Sequence, residues 1–516
     1  MQVVDNKLLV LRTKNPEKYT AAIKRSTQTA EHEVVVFWGL EEARLLKRLG
    51  VKNVPSPINR DYNWPGKYKP FKHQNTTASF LTLHKRAFVF NEPGTGKTVS
   101  ALWAADYLMA RGAVRRCLIL CPLSIMKAAW MDDLMKTVLH RSAVIAYHTD
   151  SKRRIDAIRR NYEFVIMNYD GLNICAEEIV KDGRFDLVIV DEANAYKNSR
   201  TQRWKTLNKI LRPDTHLWMM TGTPASQSPE DAYGLAKLVN PTSVPKFLTA
   251  WRDLVLYKVS NFKWVPKPGA AEQVHNVLQP AVRFTKAECL DLPPVITVTR
   301  EAPLTTQQEK YYKLLKQRML VEAAGEVITT VNAAVNVNKL LQISAGAAYT
   351  DSGTVVEFDC STRLNVLDEV LAETQRKVIV FAPYRHSMHT IQQHLQKSNI
   401  SCDAIHGDVT PGKRALIFNQ FQTDATLRVL VIQPQAASHG VTLTAADTVV
   451  FWGPVMSVET YIQCIARADR VGQDSTKVTV VHIEGSDVER KMYKVLSERI
   501  DDHEAVVSLY KELINM

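Results

Sequence analysis

Two series of short apolar runs restrict this chain to few architectures. The first, between about residues 66 and 240, reads AFVF, CLILCP, FVIM, FDLVIV and LWMMTG. The second, between about 360 and 485, reads KVIVFAP, LRVLVIQ, DTVVFWG and VTVVHI. Polar or helix-patterned stretches separate the runs within each series. Strands of a parallel sheet are covered by helices on both faces, so they are apolar throughout rather than alternating. The pattern predicts an α/β chain with two parallel-sheet lobes and inserted helices.

The remaining segments complete a division into five. Residues 1–65 form a small accessory module, with strand-like runs at Lys7 to Leu11 and Val34 to Trp38 and a helix, LEEARLLKRL, that Gly50 ends. Residues 66–240 form the first lobe and 346–485 the second. Residues 241–345 are mainly helical in pattern, with breaks at WVPKPG and DLPP. Residues 486–516 open on a capping box, Ser486 to Glu489, and carry a helical stripe of Val488, Met492, Val495, Leu496 and Ile500.

The strongest chemical signal lies in the first lobe. The run AFVF leads into Asn91-Glu92-Pro93-Gly94-Thr95-Gly96-Lys97-Thr98, and a helix-like stretch follows. A glycine-rich turn between strand and helix offers backbone N–H groups and a helix N-terminus to phosphate oxygens. Lys97 is placed to reach the β- and γ-phosphates of ATP, and Thr98 to hold Mg²⁺. Asn91 stands where the usual pattern has its first glycine. Downstream, the run Phe185 to Val190 ends in Asp191-Glu192-Ala193-Asn194. Acids at the carboxyl end of a buried strand sit where α/β proteins hold ligands. Asp191 is expected in the Mg²⁺ shell, and Glu192 is expected to orient and deprotonate the attacking water.

Charge suggests a partner. The net charge is +13, and such an excess attracts polyanions, nucleic acid first, although charge alone leaves an ordinary basic enzyme open. Residues 1–75 hold 14 Lys and Arg against 7 Asp and Glu, which is more than half of the excess. No run of about eighteen uncharged apolar residues suggests a membrane span. The start lacks the apolar core and cleavage pattern of a secretory signal. The seven cysteines include no CxxC pair. Cys117 and Cys121 read as buried thiols, and a reducing cytoplasm is expected.

The order of motifs over about residues 66 to 510 resembles the Swi/Snf-related ATPases, a branch of the superfamily-two helicases. It runs from KPFKHQ and the P-loop through LILCPLSIMKAAWMDDL, VIMNYDGL, DEANAYKNSRTQRWKTL and MTGTPASQSPEDAYGL to LQPAVRFTKAECLDLPP. It continues in KVIVFAPYRHSMHTI, AIHGDVTPGKRALIFNQF, SHGVTLTAADTVVFW and ETYIQCIARADRVGQ. Within that family the chain looks most similar to compact fork-remodelling members and to small viral or bacterial relatives.

The resemblance implies two tandem RecA-like lobes and a DNA-stimulated ATP hydrolase that tracks double-stranded, forked or branched DNA. It matches Gln74 to the adenine-reading glutamine, and Pro93, Gly94, Thr95, Gly96, Lys97 and Thr98 to the nucleotide loop. Asp191 and Glu192 match the hydrolytic acids, and Thr221-Gly222-Thr223-Pro224 the segment coupling hydrolysis to DNA. Gln463, Arg467 and Arg470 match the last motif, whose arginines reach the γ-phosphate. Pro122, Leu123, Ser124, Asn168, Tyr169, His406, Gly407 and the loop from Ser438 to Thr442 match segments that touch the DNA backbone. The resemblance also implies ATP and Mg²⁺ as ligands, a monomer, and a bacterial or virus-infected cytoplasm or a eukaryotic nucleus.

Two departures are notable. Asn194 stands where this branch usually has histidine, and QPQAASHG replaces a more glycine-rich loop. A strand-separating DNA or RNA helicase, and a nucleotide-binding scaffold, are the competing functions. His386, His389 and His394 read as surface histidines of one helix rather than metal ligands. Trp218, Met219 and Met220 read as core strand.

Overall fold

The structure is a computed structural model that describes residues 1–498 except 124, 223–227, 260–263, 290–293, 326–329, 350–353, 438–440, 471–472 and 476. The chain divides into two compact units, Met1–Cys289 and Leu290–Met516.

The first unit is built on seven parallel strands. Their order is Ala281–Val282, Arg86–Val89, His216–Met220, Phe185–Asp191, Arg116–Cys121, Phe164–Asn168, Ala143–Ile145. The strands are apolar throughout because both faces are covered. In Arg116–Cys121, Leu118 and Leu120 enter one core, while Cys117, Ile119 and Cys121 enter the other. Burying each large side chain of this kind contributes roughly 1.5–3 kcal/mol. Trp218, Met219 and Met220 are core, as their composition implied.

The second unit has six parallel strands in the order Val295–Glu301, Val478–Glu484, Ala446–Phe451, Lys377–Phe381, Val429–Ile432, Cys402–Ile405. Two parallel α/β sheets are therefore present, one in each unit. The stretch 241–345, expected to be mainly helical, is shared between them. Ala281–Val282 lies beside the P-loop strand, and Val295–Glu301 forms the edge of the second sheet. These strands escape composition for different reasons. The first is two residues long, and most of the second is exposed at a sheet edge.

The N-terminal segment holds four antiparallel strands rather than the two expected, in the order Gln2–Val4, Leu8–Arg12, Glu33–Phe37, Ser26–Ala30. Its helix Leu40–Arg48 packs against the helix Lys72–Leu83 of the first lobe. Arg44, buried in this joint, donates from Nε to Thr82 O at 3.0 Å and approaches His216 Nε2 at 3.1 Å. A guanidinium can only donate, so Nε2 is the accepting nitrogen, and Nδ1–H faces Asp186 O at 3.3 Å. His216 is thus held neutral, and burial with Arg44 and Lys85 nearby pushes its pKa down to about 4.

The C-terminal capping box is present on the helix Asp487–Ser497. Glu489 does more than cap. It takes two bonds from Arg363, at 2.7 and 2.9 Å, inside the protein. Val488, Met492 and Leu496 are buried as the stripe predicted, Val495 is half-buried, and Ile500 lies outside the described residues. The helix Arg385–Lys397 carries His386, His389 and His394. His394 meets Asp368 at 2.8 Å and His386 meets Glu357 at 3.4 Å, so two of the three do have carboxylate partners, from outside their own helix. Among the described residues no group of three or more potential ligands could hold a metal ion. No described helix is long and apolar enough to cross a membrane.

Candidate active site

The P-loop leaves the strand Arg86–Val89 and enters the helix Lys97–Ala110. Gly94 and Gly96 have φ of +88° and +81°, a region that glycine enters without Cβ strain. Any Cβ on Gly96 would also collide with the Gln74 carboxamide. Lys97 Nζ donates to Asn91 O at 2.7 Å, turning the ammonium back over the loop. Asn91, the departure from the glycine pattern, is almost wholly buried. Its Nδ2 donates to Thr77 Oγ1 at 2.9 Å, tying the loop to the helix Lys72–Leu83. Gln74 adds a second tie, accepting from Phe71 N at 3.0 Å and donating to Thr95 O at 3.2 Å.

Thr221 and Gly222, which open the segment expected to couple hydrolysis to DNA, lie beside this loop. Thr221 N donates to Val89 O at 3.0 Å, and a Cβ on Gly222 would press within 2.8 Å of the Pro93 ring. Thr223 and Pro224 lie outside the described residues. The strand Ala281–Val282 flanks the other side. Phe90 N donates to Val282 O at 2.8 Å, Glu92 N to Phe284 O at 2.9 Å, and Lys286 N to Glu92 Oε2 at 3.1 Å. Residues 282–286 of the block LQPAVRFTKAECLDLPP, recognised only as a family signature, thus brace the P-loop.

Asp191 ends the strand Phe185–Asp191 and is buried. Its Oδ2 accepts from Trp130 Nε1 at 3.0 Å and its Oδ1 from Glu192 N at 3.0 Å. Burial pushes its carboxyl pKa up, against the opposing pull of the Lys97 ammonium and the Trp130 indole. An acid that burial penalises, beside an ammonium, suits a divalent cation that would restore its charge. Glu192 has φ +48°, which is strained for a residue with a side chain. Tyr169 Oη donates to Asp191 O at 2.6 Å and lies 3.4 Å from Glu192 O. Trp130 was not singled out from sequence. It stood in the quoted run KAAWMDDL, and only its partner reveals what it does.

The expected DNA-facing residues are distributed as follows. Pro122 and Leu123 follow the strand Arg116–Cys121, and Leu123 is 42% exposed. Asn168 and Tyr169 follow on the neighbouring strand, in register with Cys121. Tyr169 turns its hydroxyl inward to the acidic turn. In the second unit, Gly407 N donates to Gln433 Oε1 at 3.3 Å, bringing His406 and Gly407 to the start of the QPQAASHG loop. Val441 and Thr442, which follow that stretch, meet the last motif. Thr442 Oγ1 accepts from Arg470 at 3.1 Å and Val441 O from Arg467 at 3.2 Å. Arg467 Nε also donates to Gln463 O at 2.9 Å. Ser124 and Ser438 lie outside the described residues.

The SNF2-related domain matches residues 73–346 of this chain. The chain belongs to the SNF2-related family. The helicase conserved C-terminal domain matches residues 362–472. The chain therefore carries both the SNF2-related domain and the helicase C-terminal domain. It is 26% identical over 426 residues to a chromodomain-helicase-DNA-binding protein 1-like protein of Danio rerio, covering 77% of this chain and 39% of that protein. It is 24% identical over 469 residues to protein p41 of Acyrthosiphon pisum secondary endosymbiont phage 1, covering 86% of this chain and 98% of that one. A Sulfolobus solfataricus SWI2/SNF2 ATPase core in complex with dsDNA aligns with a TM-score of 0.42 and 20% identity, covering 87% of this chain and 94% of that one. The chain spans under half the length of the chromodomain-type relatives it matches.

Proposed function

We propose that this chain is a DNA-stimulated ATPase that translocates on double-stranded DNA and remodels forked or branched DNA or protein–DNA complexes. The observation that carries the reading is the grouping of Lys97, Asp191 and Glu192 at the carboxyl edge of one parallel sheet, in a chain of the SNF2-related family. Phosphoryl transfer requires positioning and charge neutralisation rather than covalent help. Backbone N–H groups at the start of the helix Lys97–Ala110 would receive phosphate oxygens, with Lys97 beside them. Thr98 and Asp191 would hold Mg²⁺, which would neutralise phosphate charge. Glu192 would orient and deprotonate water. Arg467 and Arg470 would stabilise charge on the transferred phosphoryl group, and Gln74 would read the base.

A motor that accepts any sequence grips phosphates, whose contacts carry no sequence information. The two expected phosphate-facing segments of the first unit, at 122–123 and 168–169, leave adjacent strands next to the acidic turn. The strands of a duplex can stay paired during such tracking, because breaking stacking costs about 1.4 kcal/mol per base-pair step. The test is ATP turnover with single-stranded, duplex, forked and four-way DNA and with RNA, alongside displacement of a third strand. Duplex stimulation with triplex displacement is expected. Rapid unwinding of a simple tailed duplex with no triplex displacement would instead make the chain a strand-separating helicase. RNA as the preferred stimulant would remove DNA from the reading.

A further inference from the structure

Hydrogen bonds run to the acidic turn from Tyr169, in a segment expected to face DNA, and from Trp130, a few residues beyond the other such segment. Trp130 lies in Met126–Met131, a π-helical turn that begins shortly after Pro122 and Leu123. Such turns are rare and are frequent at functional sites. The Trp130 side chain is fully buried, and its N–H is directed at Asp191 Oδ2. Tyr169 directly follows the strand Phe164–Asn168, on the other side of Arg116–Cys121 from the strand that ends in Asp191. Its ring is gripped by Arg203 at 4.9 Å and by Tyr196 edge-on at 5.6 Å. Its hydroxyl is directed at the carbonyls of Asp191 and Glu192.

We propose that Trp130 and Tyr169 are positioning residues that transmit engagement of the 122–123 and 168–169 segments to Asp191 and Glu192. The proposal rests on the DNA-stimulated ATPase reading above. The two bonds act on different atoms. Trp130 orients the Asp191 carboxylate, the group suited to the cation that accompanies the nucleotide. Tyr169 holds the peptide carbonyls on either side of the strained Glu192 backbone, and so sets where that side chain points. Hydrogen bonds weaken steeply with distance and angle. A small shift of either segment under a bound phosphate backbone would therefore change the acid that its bond holds. Two sites joined in this way show reciprocal effects on affinity.

The experiment uses the full chain with Tyr169→Phe, which keeps the ring and removes the hydroxyl donor, and Trp130→Phe, which keeps an aromatic ring of smaller size and removes the indole donor. Binding of a fluorescent non-hydrolysable ATP analogue with Mg²⁺ is measured with and without duplex DNA, and turnover is measured in parallel. In the unchanged chain, duplex DNA tightens analogue binding by roughly 5- to 150-fold. In Trp130→Phe that factor falls to within about threefold of one, while the DNA-free analogue affinity moves less than about threefold. In Tyr169→Phe DNA-stimulated kcat falls about tenfold without a matching change in the KM for ATP. A purely structural role would lower the melting temperature and leave the coupling factor and the split between kcat and KM in place, which would overturn the inference. Normal DNA coupling in both variants would also overturn it, and the two positions are read independently should one variant fold poorly. If DNA affects neither binding nor turnover in the unchanged chain, the ATPase reading itself falls, and this one with it.

Discussion

Asp191 and Glu489 are both buried carboxylates, one in each unit, and they are treated in opposite ways. Glu489 is fully buried and surrounded by donors. It receives two bonds from Arg363, two from the backbone of Gly485 and Ser486, and sits 3.2 Å from the Ser486 hydroxyl. Arg363 in turn donates to the carbonyls of Trp452 and Ile483, so the pair joins a strand end, a helix start and the helix Ser361–Glu373. Asp191 receives one donor on each oxygen, and burial still pushes its pKa up. A carboxylate saturated by its own protein is architecture. One held in place yet penalised by burial fits the proposed role of holding a cation.

The sharpest way to break this contrast is to remove charge at each site in turn. Asp191→Asn and Lys97→Ala should each lower ATP turnover by roughly 10²–10³ or more, the scale of losing one electrostatic stabiliser. The melting temperature of Asp191→Asn should stay close to that of the unchanged chain, since the amide removes a carboxylate that burial penalises. A marked fall in stability for Asp191→Asn, with turnover kept, would make Asp191 architectural too. Glu192→Gln should bind ATP and DNA and hydrolyse very slowly, because the amide keeps the shape and loses the base. Loss of ATP binding in a folded protein would remove Glu192 from water activation.

Glu489→Gln should show the reverse profile. Breaking one partner of a buried pair costs about 3–5 kcal/mol, so urea unfolding should move to much lower concentration while nucleotide binding by the remaining folded protein is unchanged. The paired replacement Arg363→Met with Glu489→Leu should recover much of that loss, because an apolar pair leaves no orphan charge. No recovery would mean that the backbone bonds of Glu489, rather than its charge pair, carry the stability.

The smallest effect concerns pH. His84 and His216 in the first unit and His482 in the second are held neutral, chiefly by burial, with pKa about 4 against the ordinary 6.5. The unfolded chain then binds more protons between those values. Stability is therefore full above about pH 6.5 and is lost as pH falls toward 4, by on the order of 1–2 kcal/mol per histidine at pH 5. For His216 the cause is concrete, because a proton on Nε2 would face the Arg44 guanidinium, with Lys85 adding repulsion and Asp186 offering only partial relief. His216→Asn should flatten the fall in urea midpoint between pH 7 and pH 5. An unchanged slope would place the acid sensitivity elsewhere.

Much of this architecture was legible because its physics is local. A strand covered on both faces must be apolar along its length, so FDLVIV and KVIVFAP announced themselves. A phosphate loop needs glycine, lysine and a hydroxyl in fixed order, so residues 91–98 did as well. The rest depends on distant partners. Arg363 and Glu489 are 126 positions apart, and neither residue type predicts burial. Trp130 read as one more apolar residue until Asp191 lay beside its N–H. Ser26–Ala30 is polar and largely exposed, and it is a strand because Glu33–Phe37 pairs with it. Arg467 and Arg470 were found through motif order, and their bonds to Val441 and Thr442 came from the fold.

Asn91 has a consequence for how the nucleotide pocket responds to an incomplete ligand. Through Asn91 and Gln74, the phosphate loop and the helix that carries the expected base-reading side chain are fastened to one another. In the reading proposed above, these bonds make the two ends of the nucleotide site one template of set spacing. A template of fixed span rewards a molecule that fills both ends and gives little to one that fills either alone. Adenosine and tripolyphosphate should each bind far more weakly than ATP, and supplying both together should not restore the affinity of the intact nucleotide.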